Sequence, residues 1–75
     1  MTHAHLHARL AGMGWRREVR AGGRVDHYLS DGPLDRMVAT APTAPAHALC
    51  ETRGGGRGMT SVEDAAAWAR ECMPR

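Results

Sequence analysis

The chain has 75 residues, a formal net charge of +2, and hydrophobic residues at 43% of its positions. This length supports a single domain spanning residues 1–75, and so small a net charge does not by itself indicate a nucleic-acid partner. The absence of a signal peptide and of a long apolar run predicts a cytoplasmic protein with no membrane partner.

The first predicted element is a helix over residues 2–11, capped by the threonine at its start. Leu6, Leu10 and Met13 recur at helical spacing and define its buried face. Gly12 is expected to supply the C-terminal stop.

A β-hairpin is predicted over residues 15–29, with a three-residue loop at residues 21–23. This loop length pairs Val19 with Val25, whereas a two-residue turn would mix the inner and outer sides of the strands. The inner side is then expected to carry Trp15, Arg17, Val19, Val25, His27 and Leu29, and the exposed outer side Arg16, Glu18, Arg20, Arg24, Asp26 and Tyr28.

Two further strands are predicted, over residues 34–41 and residues 46–52. A turn at residues 30–33 precedes the first of them, and a proline-rich connector at residues 42–45 separates the two. Both strands contain alanine, which has low strand propensity, so the fourth strand is the weaker prediction.

The last element is an amphipathic helix whose start fits a capping box of Thr60 and Glu63. Together the elements predict an α+β fold, an antiparallel sheet of three or four strands flanked by an N-terminal and a C-terminal helix. The buried stripe of the last helix is expected to comprise Val62, Ala65, Ala66, Ala69, Cys72 and Met73.

The predicted core is small. Thirteen of the hydrophobic residues are alanine, and the chain has neither Phe nor Ile. A domain of this length buries only about 60% of the surface that its unfolded chain exposes. Pairing with another copy or with a target would add burial, so we expect a homodimer or an obligate binder.

The densest group of metal-ligating residues is His3, His5 and His7. On a helix, His3 and His7 share a face at a workable two-ligand spacing, while His5 points elsewhere. His47 and Cys50 form a second pair. Since neither pair has a partner fixed by the sequence, we predict no native metal site and no cofactor.

The one catalytic combination that the sequence suggests is Cys50 as nucleophile with His27 or His47 as base, oriented by Asp26. Nothing in the spacing brings these residues together, and a chain this short has little room for a closed pocket. Cys50 is therefore interpreted as a buried thiol, and the chain is predicted not to be an enzyme. Two cysteines 22 positions apart provide no disulfide framework, and both are expected to be reduced.

A glycine-rich segment, Arg53-Gly-Gly-Gly-Arg57-Gly58, precedes the last helix. Glycines before a helix N-terminus can bind a phosphate through free N–H groups. A P-loop would need lysine after its last glycine, and here Met59 follows. The segment is interpreted as a flexible connector.

The helix–strands–helix order, the length and the step from Gly56-x-Gly58 into an alanine-rich helix resemble the double-stranded-RNA-binding domain. That family grips phosphates with lysines at the start of this helix. Here the corresponding positions are neutral or acidic, which would weaken contact with a phosphate backbone. The positions that correspond to these lysines are Ser61, Val62, Glu63 and Asp64. The resemblance therefore implies a shared topology.

Arginine and aromatic side chains are the favoured anchors of protein interfaces. Tyr28, flanked by Arg16 and Arg24, is the best aromatic contact candidate. Trp68 is either a core residue at the edge of the sheet or an interface anchor. The predicted partner-binding residues are Arg16, Arg20, Arg24, Tyr28, Arg53, Arg57 and Trp68.

These features predict a non-enzymatic protein that acts by stoichiometric contact with another macromolecule. In size, architecture and composition the chain resembles the small stand-alone proteins of phages and mobile elements that include anti-CRISPR inhibitors. That resemblance implies occlusion of a host protein or ribonucleoprotein complex. The alternative is a nucleic-acid-binding module or dimeric regulator that uses the same arginine-rich sheet face.

Overall fold

Two helices pack on one face of a five-stranded antiparallel sheet in the computed structural model, which describes residues 1–31 and 34–74. The elements are α1 (His3–Gly12), β1 (Arg16–Val19), β2 (Val25–Asp31), β3 (Leu34–Thr40), β4 (His47–Thr52), β5 (Arg57–Ser61) and α2 (Val62–Cys72). The strands follow one another across the sheet in chain order, β1 to β5, so each strand pairs only with its sequence neighbours. The predicted α+β class and both flanking helices are confirmed.

The first helix forms as predicted and ends slightly later. The Thr2 hydroxyl accepts a hydrogen bond from the His5 N–H at 3.2 Å, and Leu6 and Leu10 are fully buried. Gly12 is still helical, and the chain turns at Gly14, where φ is +88°. The predicted stop at Gly12 is therefore wrong by two residues.

The hairpin register is confirmed by the pairing of Val19 with Val25. The Arg20 N–H donates to the Arg24 carbonyl at 2.7 Å and closes the loop Ala21–Gly23. At Gly23, where φ is +81°, a Cβ atom would lie 2.9 Å from Cγ of Pro42, so this position requires glycine for space as well as for conformation.

Two inner-side residues of β1 are not buried as expected. Val19 is 67% exposed and Arg17 is also exposed, because β1 is an edge strand whose far end lies outside the hydrophobic core. Asp26, expected at the surface, is 1% exposed.

The described residues form five strands rather than three or four, because β5 begins at the end of the predicted connector, residues 53–58, and continues to Ser61. It pairs with β4 in a register that places Arg57 opposite Glu51 and Thr60 opposite Ala48. The predicted third and fourth strands agree with β3 and β4 to within one residue. The turn predicted at residues 30–33 includes Gly32 and Pro33, which lie outside the described residues.

The start of α2 differs from the predicted capping box. Ser61, not Thr60, is the N-cap, and its hydroxyl accepts from the Asp64 N–H at 3.1 Å. Thr60 belongs to β5. The Glu63 carboxylate lies 2.7 Å from the Met1 ammonium.

The core fills the space between the two helices and the helix-facing side of the sheet. The predicted stripe of α2 is confirmed, since its first four members are buried and Cys72 and Met73 pack against the core. No helix in residues 1–31 or 34–74 has the length and apolar character needed to span a membrane. The buried core residues are Leu6, Leu10, Trp15, Val38, Ala48, Val62, Ala65, Ala66 and Ala69.

Candidate functional site

One side of the sheet faces away from both helices, and we call it the open face. Residues directly opposite each other in antiparallel strands project to the same side, so the strand register defines two rows across this face. None of their members belongs to the core cluster. The rows are Arg16, Tyr28, Met37, Glu51, Arg57 and Glu18, Asp26, Ala39, Leu49, Met59.

Asp26 organises one end of the open face. Its Oδ1 accepts from Nε of Arg24 at 2.8 Å, and its Oδ2 accepts from Nε of Arg20 at 3.1 Å. The Tyr28 hydroxyl donates to the same Oδ2 at 3.2 Å. The two arginine side chains lie over the carboxylate, which explains why a residue on an uncovered sheet face is buried.

The charge state of Asp26 follows from these contacts. Burial alone would raise the pKa of its carboxyl group, but the hydrogen bonds from Arg24 and Arg20 outweigh this and hold the pKa below its usual value. The pKa of Arg20 is raised, chiefly by its hydrogen bond to the Tyr28 hydroxyl at 3.0 Å and also by Asp26. Asp26 and Arg20 are therefore charged at neutral pH.

A second carboxylate extends this cluster to the sheet edge. Glu18 lies 2.6 Å from Nη2 of Arg20 and 3.6 Å from Nη2 of Arg16. The Arg16 guanidinium also sits over the Tyr28 ring, 5.3 Å from its centroid, in a cation–π contact. We call Arg16, Glu18, Arg20, Arg24, Asp26 and Tyr28 the arginine cluster.

The structure brings together four of the seven predicted contact residues, Arg16, Arg20, Arg24 and Tyr28. Arg57 lies in the same row as Tyr28 but on the opposite edge strand, about 19 Å from Arg16 by strand spacing. Trp68 lies on the other side of the sheet, on α2.

Arg53 is close to the arginine cluster although it follows β4. Its Nη1 lies 3.3 Å from Oδ2 of Asp35, and its N–H donates to the Asp35 carbonyl at 2.8 Å. A cleft of about 520 Å³ separates Arg53 from Arg16 and Tyr28. The cleft at this end of the open face is therefore bordered by the ion pair of Arg53 and Asp35 on one side and by the arginine cluster on the other.

An apolar strip, formed by Met37, Ala39, Leu49 and Met59, continues from the arginine cluster across the open face, which also carries Glu51 and Arg57. Met59 is 62% exposed, whereas Met37 and Leu49 are half-buried. The sequence analysis did not identify this strip. The alternation of Leu49 and Glu51 with Ala48 and Cys50 could have placed Leu49 on the outer side, but Met59 could not be assigned without β5.

The position of Trp68 agrees with one of its two expected roles, a core residue at the edge of the sheet. Its ring is half-buried against the core and lies 6.3 Å from the ring of Trp15, centroid to centroid. It also lines a cleft of about 570 Å³ beside β5, together with Gly58 of β5 and Gly56, which precedes the strand.

Three histidine rings lie side by side between α1 and the sheet, each tilted by about 30° to the next. The ring centroids of His3 and His7 are 6.2 Å apart, and those of His7 and His27 are 5.1 Å apart. His3 Nε2 donates to the His47 carbonyl at 3.0 Å, and His7 Nε2 is hydrogen-bonded to Oγ1 of Thr40 at 2.7 Å. No group of three or more His, Cys, Asp or Glu side chains in the described residues is arranged to hold a metal ion.

His27 is fully buried, and neither of its ring nitrogens has a hydrogen-bond partner. Burial, followed by the nearby His7 and Arg17, lowers the pKa of His27 to about 4, against a smaller opposite effect of Asp26. Burial also lowers the pKa of His7.

Cys50 is half-buried under α2, and burial raises the pKa of its thiol to about 11, so the thiol is protonated at neutral pH. His47 projects to the opposite side of β4. His27 lies two strands away, with Val38 between it and Cys50 in the same row. The nucleophile and base considered from the sequence are therefore not adjacent.

Comparisons with protein-family models, curated proteins and solved structures found no match to this chain.

Proposed function

We propose that this chain is a non-enzymatic binding protein whose open face contacts another protein in a stoichiometric complex. The observation that carries the proposal is the continuity of the apolar strip with the arginine cluster on a sheet face that no helix covers. Protein interfaces combine an apolar centre with arginine, tyrosine and methionine and a polar rim. The open face has this composition.

The pairing of the arginines favours a protein over a nucleic acid. Asp26 and Glu18 already hold the guanidinium groups of Arg20 and Arg24 and contact that of Arg16. A phosphate would have to displace these carboxylates or bind beside them, and their charge would oppose it. A protein surface can instead use the apolar strip together with the remaining donors of the cluster.

The start of α2 also argues against binding RNA in the manner of a double-stranded-RNA-binding domain. Glu63 and Asp64 are exposed in its first turn, where that family presents lysines. Two carboxylates at this position would repel a phosphate backbone.

The narrower form of the proposal is inhibition of a host defence complex in the cytoplasm, as in the anti-CRISPR class that the chain resembles in size and architecture. Both cysteines are free, as a reducing compartment requires. Blocking a site on a large complex needs only stoichiometric contact through a face such as this one.

The general proposal is tested by quantitative pull-down from host lysate, followed by titration of the captured protein in pure form. Leu49→Glu places a charge in the apolar strip and should abolish binding, whereas Ala67→Glu, at an exposed position of α2, should leave it unchanged. Melting curves verify that both variants are folded. Capture of nuclease-sensitive material that is lost in Arg16→Glu would overturn the proposal in favour of nucleic-acid binding.

The inhibitor form is tested by phage plating on a host with an active CRISPR system and a matching spacer. Expression of the wild-type chain should restore plating, and Leu49→Glu should not. Full immunity in the presence of the wild-type chain rules out this form for that system and leaves the binding proposal to the pull-down.

A further inference from the structure

The two edges of the sheet differ in how they are protected against pairing with another strand. Edge strands of natural proteins are commonly blocked by charges, proline or bulges. In β1, three of the four residues are charged, Arg16, Arg17 and Glu18. In β5 only Arg57 is charged, and Met59 at its centre is 62% exposed.

The hydrogen bonds to β4 define which backbone groups of β5 remain available. The Thr52 N–H donates to the Gly56 carbonyl at 2.9 Å, and the Val62 N–H donates to the Ala46 carbonyl at 3.2 Å. Because bonded and outward residues alternate along an antiparallel strand, Arg57 and Met59 direct both N–H and C=O away from β4. Ser61 directs its N–H outward, while its carbonyl, as that of an N-cap, accepts the first bond of α2.

We propose that two copies of this chain form a dimer in which their β5 strands pair with each other in antiparallel orientation. The two-fold axis passes through Met59, and the two sheets become one continuous ten-stranded sheet. In this register the two Met59 residues exchange a pair of hydrogen bonds. The Ser61 N–H of each copy meets the Arg57 carbonyl of the other. The Arg57 N–H stays without a strand partner, because the Ser61 carbonyl opposite it is used by α2. A two-fold axis at Arg57 or Ser61 would pair fewer groups within the two strands. An axis at Gly58 would pair Arg57 with Met59 and leave the Ser61 N–H without a strand partner, so protection of the Ser61 amide from hydrogen exchange distinguishes the two registers.

The charges around β5 are complementary under the same two-fold axis. Within the described residues, neither the Arg57 guanidinium nor the Asp64 carboxylate has an ion-pair partner. The pairing sets Arg57 opposite Ser61 of the second copy, three residues before Asp64. Arg57 projects to the open face and Asp64 lies on α2, but both line the cleft beside β5. Each copy therefore presents an unpaired cation and an unpaired anion along the edge that the other copy covers, and the two-fold axis repeats this arrangement.

The cleft beside β5 supplies the rest of the contact. A stable interface buries about 800 Å² per partner, which is more than the edge of a five-residue strand provides. The cleft of about 570 Å³ runs along the same edge, with Trp68 on one wall and Gly56 and Gly58 at its base. A Cβ atom at either glycine would meet nothing within 4 Å, so the space is open to the second copy.

Sedimentation velocity over a wide range of protein concentration tests the assembly, which should reach twice the 8.1 kDa mass of one chain. Met59→Lys sets two like charges opposite each other and removes two buried methionines, so it should raise the dissociation constant of the dimer about a hundredfold or more. The matched control is Val19→Lys on the other edge, where the side chain is 67% exposed. This variant should remain dimeric.

Amide hydrogen exchange gives a second readout at single residues. The Met59 and Ser61 amides should be protected in the dimer and should exchange rapidly in Met59→Lys, while core amides stay protected in both proteins. The Arg17 and Val19 amides, which face outward on β1, should exchange rapidly throughout.

The proposal is overturned if the wild-type chain remains a monomer at every concentration, or if the dimer survives Met59→Lys. Loss of assembly in both Met59→Lys and Val19→Lys would indicate head-to-tail pairing of β5 with β1 and would also overturn it. The inference does not depend on which macromolecule the open face binds.

Discussion

At the scale of single residues, His27 makes the stability of the fold depend on pH. Its pKa of about 4 in the folded state lies below the ordinary value of 6.5 that it regains on unfolding. Between these two values the unfolded chain binds more protons than the folded one, so stability rises with pH. The contribution is complete above pH 6.5 and is lost as the pH falls towards 4.

We predict that the free energy of unfolding falls by about 1–2 kcal/mol between pH 7 and pH 5, a window in which few carboxyl groups titrate. His27→Leu should reduce this fall, because it removes the buried base, and should stabilise the protein at pH 5. His7 retains a smaller dependence of the same sign, since its pKa is also lowered. Urea titrations at the two pH values measure the free energy of unfolding of both proteins. If it falls between pH 7 and pH 5 by the same amount in the variant and the wild type, the assignment to His27 is contradicted.

Asp26 is the residue on which the arginine cluster depends. Asp26→Asn would leave the guanidinium groups of Arg20 and Arg24 without their shared carboxylate. We expect a loss of about 1–2 kcal/mol, less than for a fully buried ion pair because both arginines are about half exposed. The Glu18 carboxylate is more exposed than that of Asp26, so Glu18→Gln should lower the free energy of unfolding by less than about 0.5 kcal/mol. Urea denaturation at pH 7 compares the two, and similar losses would contradict the central role of Asp26.

The burial of Asp26 could not be read from the sequence, although its position on the outer side could. Alternation along β2 assigns the side of the sheet, but exposure depends on how neighbouring side chains fold over the residue. Here the cover comes from Arg20 and Arg24, which flank the hairpin loop. Patterns with a period of two contain no information on such contacts.

At the scale of elements, local patterns predicted those parts of the fold that local contacts stabilise. The helical spacing of Leu6 and Leu10 and the register argument for Val19 and Val25 are both confirmed. The strand β5 was missed because glycine, here Gly58, has low strand propensity and the segment lacks alternation. It forms through pairing with β4, a tertiary contact.

The same pairing explains why α2 begins one residue later than predicted. Thr60 and Ser61 are both suitable N-caps, but Thr60 is held opposite Ala48 in the sheet. We predict that Ser61→Ala destabilises the fold by about 1 kcal/mol, because the Asp64 N–H loses its acceptor. Thr60→Ala should lower the stability by only a few tenths of a kcal/mol on the strand-propensity scale. Thermal melts of the two variants distinguish the caps, and a larger loss for Thr60→Ala would restore the original assignment.

At the scale of the whole molecule, the core depends on very few large side chains. Four of its nine buried members are alanines, and Leu6 and Leu10 are among its largest fully buried residues. A domain of this size has a total stability of about 4–11 kcal/mol. Each large core residue therefore accounts for a considerable share.

We predict that Leu10→Ala destabilises the protein by about 3 kcal/mol. Leu49→Ala, a change of the same chemistry on the open face, should lower the stability by about 1 kcal/mol, since Leu49 is half-buried and lies outside the core. Chemical denaturation measures both. Equal losses would mean that the open face is packed as tightly as the helix-facing side.

The candidate site was only partly predictable at this scale. The outer side of the hairpin was identified from its register, and it carries the four residues of the predicted set that cluster. The apolar strip was not identified, because it runs across β3, β4 and β5 and becomes continuous only when all three strands are assembled.

The succession of strands in chain order has a consequence for how the protein folds. Each hairpin can close as soon as its two arms exist, so the sheet can grow by short-range steps of the kind that favour rapid folding. The hydrophobic interior is different, because α1 and α2, the first and last elements of the described chain, pack against each other across it. During synthesis on the ribosome, the apolar side of the growing sheet would therefore stay uncovered until residues 62–72 emerge. Docking of α2 is then the step that completes the native fold.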